Sequence, residues 1–95
     1  MKRKSTGYEI AKIAGVSAAR GLEAVIKAQL ITGILEAMKK SHLTHVQLAI
    51  KSGLPRSAVT GILSGSLQKV TIDRVLRLVE AAGLTAEIRV RPSAA

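Results

Sequence analysis

The sequence contains no cysteine, no tryptophan and no phenylalanine, and Tyr8 is its one aromatic residue. Without cysteine the chain forms neither a disulfide bond nor a thiolate metal site, which is compatible with a reducing cytosol. Proteins that bind single-stranded nucleic acid usually stack the bases on aromatic side chains, so the scarcity of aromatics argues against such a ligand. The hydrophobic core must be built from aliphatic side chains.

Acidic residues are also few, with six Asp and Glu against 15 Lys and Arg, and the formal net charge is +9. The six carboxylates are scattered, no glycine-rich phosphate-binding motif is present, and no nucleophile stands beside a base. We therefore expect no catalytic residue, no cofactor and no enzymatic activity. His42 and His45 are too few ligands for a zinc site, so no metal is expected either.

The positive charge favours a partner with dense negative charge, meaning nucleic acid or an anionic membrane surface. Together with the lack of aromatics it points to duplex DNA. Residues 8–16 are interrupted by Glu9 and Lys12 and do not form a secretory signal, so we expect a cytoplasmic protein. An apolar, lysine-flanked helix over residues 22–40 leaves a membrane-surface binding protein open as an alternative of another class.

The pattern of apolar residues predicts one all-α domain with a short strand near its end. Residues 1–21 form a basic tail with a weak helix over 8–20, and residues 22–95 form the main domain. Further helices are predicted over 22–40, 45–51 and 55–64, and from the capping residue Thr71 to Gly83. The expected apolar stripes are Val25, Ile26, Leu30, Ile34, Ala37 and Met38 in the first of these, and Ile72, Val75, Leu76 and Val79 in the last.

Residues 44–65 carry the pattern of a helix-turn-helix. Two helices that cross closely need a small residue at the crossing, a turn residue that tolerates positive φ, and a branched side chain that returns to the core. Ala49, Gly53 and Val59 meet these three requirements. Additional apolar contacts are expected from Leu48, Leu54 and Ile62.

The segment LTHVQLAIKSGLPRSAVTGILSG resembles the helix-turn-helix of the Xre family and of phage repressors. With KAQLITGIL before it and VTIDRVLRLVEAAGLTAEIRVRP after it, the chain is similar to the short HigA-like antitoxins of type II toxin–antitoxin systems. The resemblance implies a five-helix lambda-repressor-like domain, a transcriptional repressor that autoregulates its operon, and a small toxin as protein partner. A stand-alone phage- or plasmid-type regulator without a toxin is the alternative within DNA binding.

The same resemblance implies which residues contact DNA. Arg56 lies at the start of the recognition helix, where its planar fork can donate two hydrogen bonds to O6 and N7 of a guanine. His45 stands where such proteins often have a phosphate-contacting glutamine, and Pro55 replaces the commoner Ser or Thr cap. The full expected set is His45, Arg56, Ser57, Thr60, Gly61, Ser64 and Lys69.

Residues 86–91 alternate small or apolar with charged side chains and stop at Pro92, which predicts a strand. A lone strand exposes an unpaired edge, so we expect it to pair with the same strand of a second copy and form a homodimer. Ile88 and Val90 would then face the core. Glu87, Arg89 and Arg91 would lie on the opposite face of the pair. Such a dimer would bind an inverted-repeat operator.

Overall fold

A computed structural model describes residues 18–67 and 69–92 of the chain. This part contains four helices, namely α1 (Ala18–Ser41), α2 (His45–Ser52), α3 (Arg56–Leu63) and α4 (Ile72–Ala81), and it contains no strand. The all-α prediction is confirmed for these residues, and its four main helices are all found. The weak helix expected over residues 8–20 lies almost entirely outside the described part.

Helix α1 is longer than the sequence pattern predicted. It begins at Ala18, runs for 24 residues and passes through Gly21, the residue that separates the helices predicted over 8–20 and 22–40. A glycine inside a helix costs only about 1 kcal/mol relative to alanine. Gly21 is buried, and a long helix packed on a core tolerates that cost. The predicted break is therefore wrong.

Helix packing builds one aliphatic core. Helix α1 packs against α4, α2 packs against both α3 and α4, and α3 also contacts α1. The α1 and α4 pair therefore forms the surface against which α2 and α3 pack. The buried apolar side chains are Ile31, Ile34, Leu48, Leu54, Val59, Ile62, Leu63, Val75, Leu78, Val79 and Ala81.

In two helices the buried face matches the predicted stripe only in part: Ile34 and Val75 are buried as expected, but some of the other expected residues are not. In α1 the buried large apolar residues are Ile34 and Ile31, and Ile31 was not part of the expected stripe. In α4 Leu78 is fully buried, whereas Leu76 is 40% exposed. Several apolar stripes on a helix satisfy a period of 3.6 residues, and the position of the neighbouring helices selects one of them.

Threonine side chains cap two helix starts, Thr44 at α2 and, as predicted, Thr71 at α4. The Thr44 side-chain oxygen accepts a hydrogen bond from the Gln47 backbone N–H at 3.1 Å, and Gln47 Oε1 accepts one from the Thr44 N–H at 2.9 Å. This reciprocal pair satisfies two donors that a helix N-terminus otherwise leaves unpaired. At the start of α4 the Thr71 hydroxyl oxygen accepts from the Arg74 N–H at 3.3 Å.

Residues 84–92 follow α4 without regular secondary structure, so the predicted strand over 86–91 is not formed in the single chain. Ile88 and Val90 are 66% and 93% exposed in the single chain, and the face expected for them in a dimer stays a prediction. Arg89 Nε lies 3.2 Å from Glu87 Oε1 of the same chain. The physical reason is that a strand needs a hydrogen-bonding neighbour, and the described part of this chain offers none.

Candidate nucleic-acid interface

A tight turn at Gly53 joins α2 to α3. Gly53 has φ 75°, and its N–H donates to the Ala49 carbonyl at 3.0 Å. The Ser52 hydroxyl oxygen accepts from the Leu54 N–H at 3.2 Å, which orders the next residue of the turn. Only glycine adopts this left-handed region without a steric penalty. The predicted role of Gly53 is confirmed, and the small Ala49 is half-buried against the core.

Helix α3 is held by its inner face. Val59 is fully buried, Ile62 is 2% exposed, and Leu54 just before the helix is 8% exposed. Pro55 lies outside the helix predicted over 55–64, because its ψ of 145° is not helical, and it occupies the cap position that the resemblance implied. Its carbonyl accepts from the N–H groups of Ala58 and Val59. The helix therefore begins one residue later than predicted, at Arg56.

The outer face of α3 presents the residues expected to contact bases. Arg56, Ser57 and Thr60 are exposed and Gly61 is half-buried. Their spacing of one, four and five residues places them on one side of α3, opposite the buried Ile62. We refer to this set, Arg56, Ser57, Thr60 and Gly61, as the α3 face. A short polar surface on a rigid helix suits insertion into the major groove of B-DNA.

Ser64 follows α3 as its C-cap residue and is exposed. Its hydroxyl donates to the Gly61 carbonyl at 2.9 Å, and its backbone N–H is bonded to carbonyls of α3. Both donors of Ser64 are thus engaged within the protein. A phosphate contact from this side chain requires the hydroxyl to change rotamer.

The structure brings His45 and Thr60 together across the helix crossing. His45, the first residue of α2, is half-buried, and its Nδ1 lies 3.0 Å from Thr60 Oγ1. Which atom donates depends on the imidazole tautomer. The two residues are 15 positions apart, so no local pattern in the sequence indicates the pair. Both were expected to contact DNA, but not each other.

Lys69 stands apart from the α3 face, in a cleft beside the first turns of α1. The cleft has a volume of about 610 Å³ and is lined by Arg20, Glu23, Ala24, Lys27, Leu67 and Lys69. Of the three cations in this lining, Lys69 and Arg20 are exposed, and they lie next to the loop that follows α3. That placement suits contact with backbone phosphates more than with base edges.

Sequence reasoning missed Lys27, which is only 5% exposed. Its Nζ lies 2.7 Å from Glu23 Oε1 and donates to the Leu67 carbonyl at 3.4 Å. It thereby ties α1 to the loop after α3. The spacing of Glu23 and Lys27 indicates an ion pair on one helix face, but such pairs usually lie at the surface.

None of the helices in the described part of the chain has the length and apolar character needed to cross a bilayer. Residues 18–67 and 69–92 also hold no group of three or more His, Asp or Glu side chains arranged as metal ligands.

The turn, the anchored second helix and its polar outer face define a helix-turn-helix DNA-binding protein. In agreement, a family model described as "Helix-turn-helix domain" matches residues 8–91, and the chain belongs to this family. Searches of curated proteins and of solved structures gave no match. The helix-turn-helix predicted over residues 44–65 is confirmed.

Proposed function

We propose that this protein is a homodimeric transcriptional repressor that binds a specific duplex-DNA operator and has no catalytic role. The observation that carries the proposal is the α3 face. Arg56, Ser57 and Thr60 are exposed on a helix whose opposite side is fixed in the core by Val59 and Ile62. Because the helix backbone is fixed, only the side chains lose conformational freedom when they bind bases.

Arg56 is the main candidate for base recognition, through a bidentate contact with a guanine. Ser57 and Thr60 are shorter and less selective, and Gly61 allows the helix backbone to approach the groove closely. His45, together with Arg20 and Lys69 beside the cleft, is suited to phosphates. With a net charge of +9, release of counterions from DNA would supply much of the affinity.

The proposed dimer is based on the exposed, unpaired segment over residues 86–91. Their apolar side chains Ile88 and Val90 are exposed, and their backbone is not part of a sheet. Antiparallel pairing with the same residues of a second copy would satisfy that backbone around a two-fold axis. Two copies of α3 would then contact half-sites whose centres lie about 34–36 Å apart, one turn of DNA.

Within this class we propose an Xre-type antitoxin, supported by the resemblance of residues 27–92 to HigA-like antitoxins. The repressor would then regulate its own operon in the cytoplasm and block a small toxin through another surface. A stand-alone regulator would bind DNA in the same way. Co-expression with the product of the adjacent gene separates the two, since only an antitoxin forms a stable complex that relieves growth arrest.

The DNA-binding proposal is tested by selecting a site from a pool of random duplexes and measuring affinity for it over a range of salt concentrations. We expect affinity to fall steeply with salt, with a slope near −0.9 for each phosphate neutralised. Equal binding to anionic liposomes at matched salt would support the membrane-surface alternative instead. A salt-independent affinity for duplex DNA would contradict the proposal.

Two variants separate base recognition from phosphate contact. Arg56→Ala should lose about 1–3 kcal/mol on the selected site and relax the preference at one base pair. Lys69→Ala should weaken binding to all duplexes alike and reduce the salt slope by about 1. If Arg56→Ala keeps the full sequence preference, Arg56 is not a base-contacting residue.

A further inference from the structure

The contact between His45 and Thr60 has a consequence for base recognition. Thr60 belongs to the α3 face, and its Oγ1 lies 3.0 Å from Nδ1 of His45 at the start of α2. A threonine hydroxyl has one hydrogen to donate and lone pairs that accept, whereas a neutral imidazole has one N–H and one bare nitrogen. The side of the ring that carries the hydrogen therefore determines what Thr60 can offer to a base.

Two arrangements are possible for the neutral ring. If Nδ1 is bare, the Thr60 hydroxyl donates its hydrogen to Nδ1, and its oxygen can only accept from a ligand. If Nδ1 carries the hydrogen, Nδ1 donates to Thr60 and the hydroxyl hydrogen is free for a ligand. The same threonine can thus only accept in the first case, whereas in the second it can also donate.

A phosphate contact from His45 selects the first arrangement. Phosphate oxygens only accept hydrogen bonds, so Nε2 must carry the hydrogen in order to bind one. In a neutral ring this leaves Nδ1 bare, and Thr60 must donate inward to it. The Thr60 oxygen then presents only lone pairs to the groove, where the matching donors are the amino groups at adenine N6 and cytosine N4.

We propose that His45 is a positioning residue that determines base specificity by making Thr60 select a base with a major-groove amino group. The inference rests on the proposed function, because it requires the α3 face to lie in the major groove. His45 then has two roles, the proposed phosphate contact through Nε2 and the orientation of the Thr60 hydroxyl through Nδ1. The two are linked because a neutral ring carries its hydrogen on only one of these nitrogens.

The test uses the selected duplex with one amino group deleted at a time, by purine in place of adenine and 2-pyrimidinone in place of cytosine. Binding is measured at about pH 8, where a histidine is ordinarily uncharged. At one base we expect the wild-type protein to lose about two- to tenfold in affinity on deletion, the range of one neutral hydrogen bond. Thr60→Val, which keeps the shape and removes the hydroxyl, should show no loss at that base.

His45→Gln is the decisive variant. Glutamine has polar atoms three bonds from Cβ, the position that Nε2 has in histidine. It has no polar atom two bonds from Cβ, which is the position of Nδ1. The variant should bind the unmodified duplex about two- to tenfold more weakly than wild type, the range of one neutral hydrogen bond. It should also lose less than wild type on the amino deletion, because its Thr60 hydroxyl is no longer restricted to accepting. Ser57→Ala, which removes the neighbouring hydroxyl of the α3 face, is the matched control and should remain sensitive at the Thr60 base.

A His45→Gln protein as sensitive as wild type would overturn the proposal, and so would a wild-type protein indifferent to every amino deletion. Should His45→Gln melt at a lower temperature than wild type, His45→Ala provides the same comparison. A protein without sequence-specific duplex binding would contradict the proposed function itself. Specific binding without amino dependence would contradict this inference alone.

Discussion

At the residue scale, two glycines of the helix-turn-helix differ in what they contribute. A Cβ added at Gly53 or at Gly61 would meet no atom within 4 Å, so neither glycine is required by packing within the described residues. Gly53 has φ 75°, whereas Gly61 lies within α3. Backbone conformation therefore requires glycine at position 53, and a close approach to DNA is the proposed reason for glycine at position 61.

Gly53→Ala should destabilise the protein by about 1–2 kcal/mol, the cost of a left-handed conformation for a residue with a Cβ. Thermal or urea unfolding measures this loss. The helix-turn-helix should still form below the new melting temperature, and DNA affinity of the folded variant should stay close to wild type. An unchanged melting temperature would mean that the turn relaxes to a different backbone conformation.

Gly61→Ala should have the opposite combination of effects. Alanine in place of glycine inside a helix stabilises by about 0.5–1 kcal/mol. The added methyl group would point from the α3 face and keep the backbone away from the bases, so affinity for the selected duplex should fall. Unfolding and duplex titration of the same preparation measure both effects. A stabilised variant with full affinity would remove Gly61 from the interface.

At the scale of elements, the buried end of Lys27 connects α1 to the loop after α3. Its ammonium group is held by Glu23 Oε1 at 2.7 Å and by the Leu67 carbonyl at 3.4 Å. The side chain of Glu23 is 45% exposed, so water screens part of this ion pair. The pair fixes the loop that leads to Lys69.

Glu23→Ala should destabilise by about 1–3 kcal/mol, because it leaves a buried cation with a single partner. Lys27→Met removes the charge and keeps the apolar stem, and should lie within about 1 kcal/mol of wild type. Arg77→Ala is the control, since it breaks the exposed pair with Asp73 and should cost only about 0.3–0.5 kcal/mol. Urea unfolding ranks the three. Equal losses for Glu23→Ala and Arg77→Ala would contradict the role given to Lys27.

At the scale of the whole molecule, residues 86–91 are the part that the single chain leaves unsatisfied. Exposed Ile88 and Val90 alternate with charged residues along a segment that has no sheet partner within the described residues. A second copy would supply that partner and would also provide the two-fold symmetry that an inverted-repeat operator requires.

Truncation after Thr85 should therefore convert a dimer into a monomer and sharply reduce operator affinity, as measured by light scattering and duplex titration. Ile88→Pro in the full chain should act in the same direction, because proline removes a ladder hydrogen bond, while Ile88→Val should not. A truncated protein that remains dimeric would exclude these residues as the main dimer contact.

The amino-acid sequence alone determined the features of this protein that depend on near neighbours in the chain. Thr44 and Thr71 cap helices because their hydroxyl oxygens reach N–H groups three residues ahead. Gly53 forms the turn because the turn requires a positive φ at this residue, and glycine adopts it whatever its neighbours are. The spacing of Ala49, Gly53 and Val59 predicted the helix-turn-helix. The observed helix boundaries differ from the predicted ones at Gly21, which lies inside α1, and at Pro55, which caps α3.

Only the tertiary structure decided which helix faces turn inward and which distant side chains meet. Ile31 and Leu78 are buried while Leu76 is exposed, because the neighbouring helices select one stripe among several of equal period. The approach of His45 to Thr60 depends on the crossing of α2 and α3, a geometry that no local pattern contains. Residues 86–91 remain outside any sheet because strand pairing requires a second strand, and the described part of one chain does not provide it.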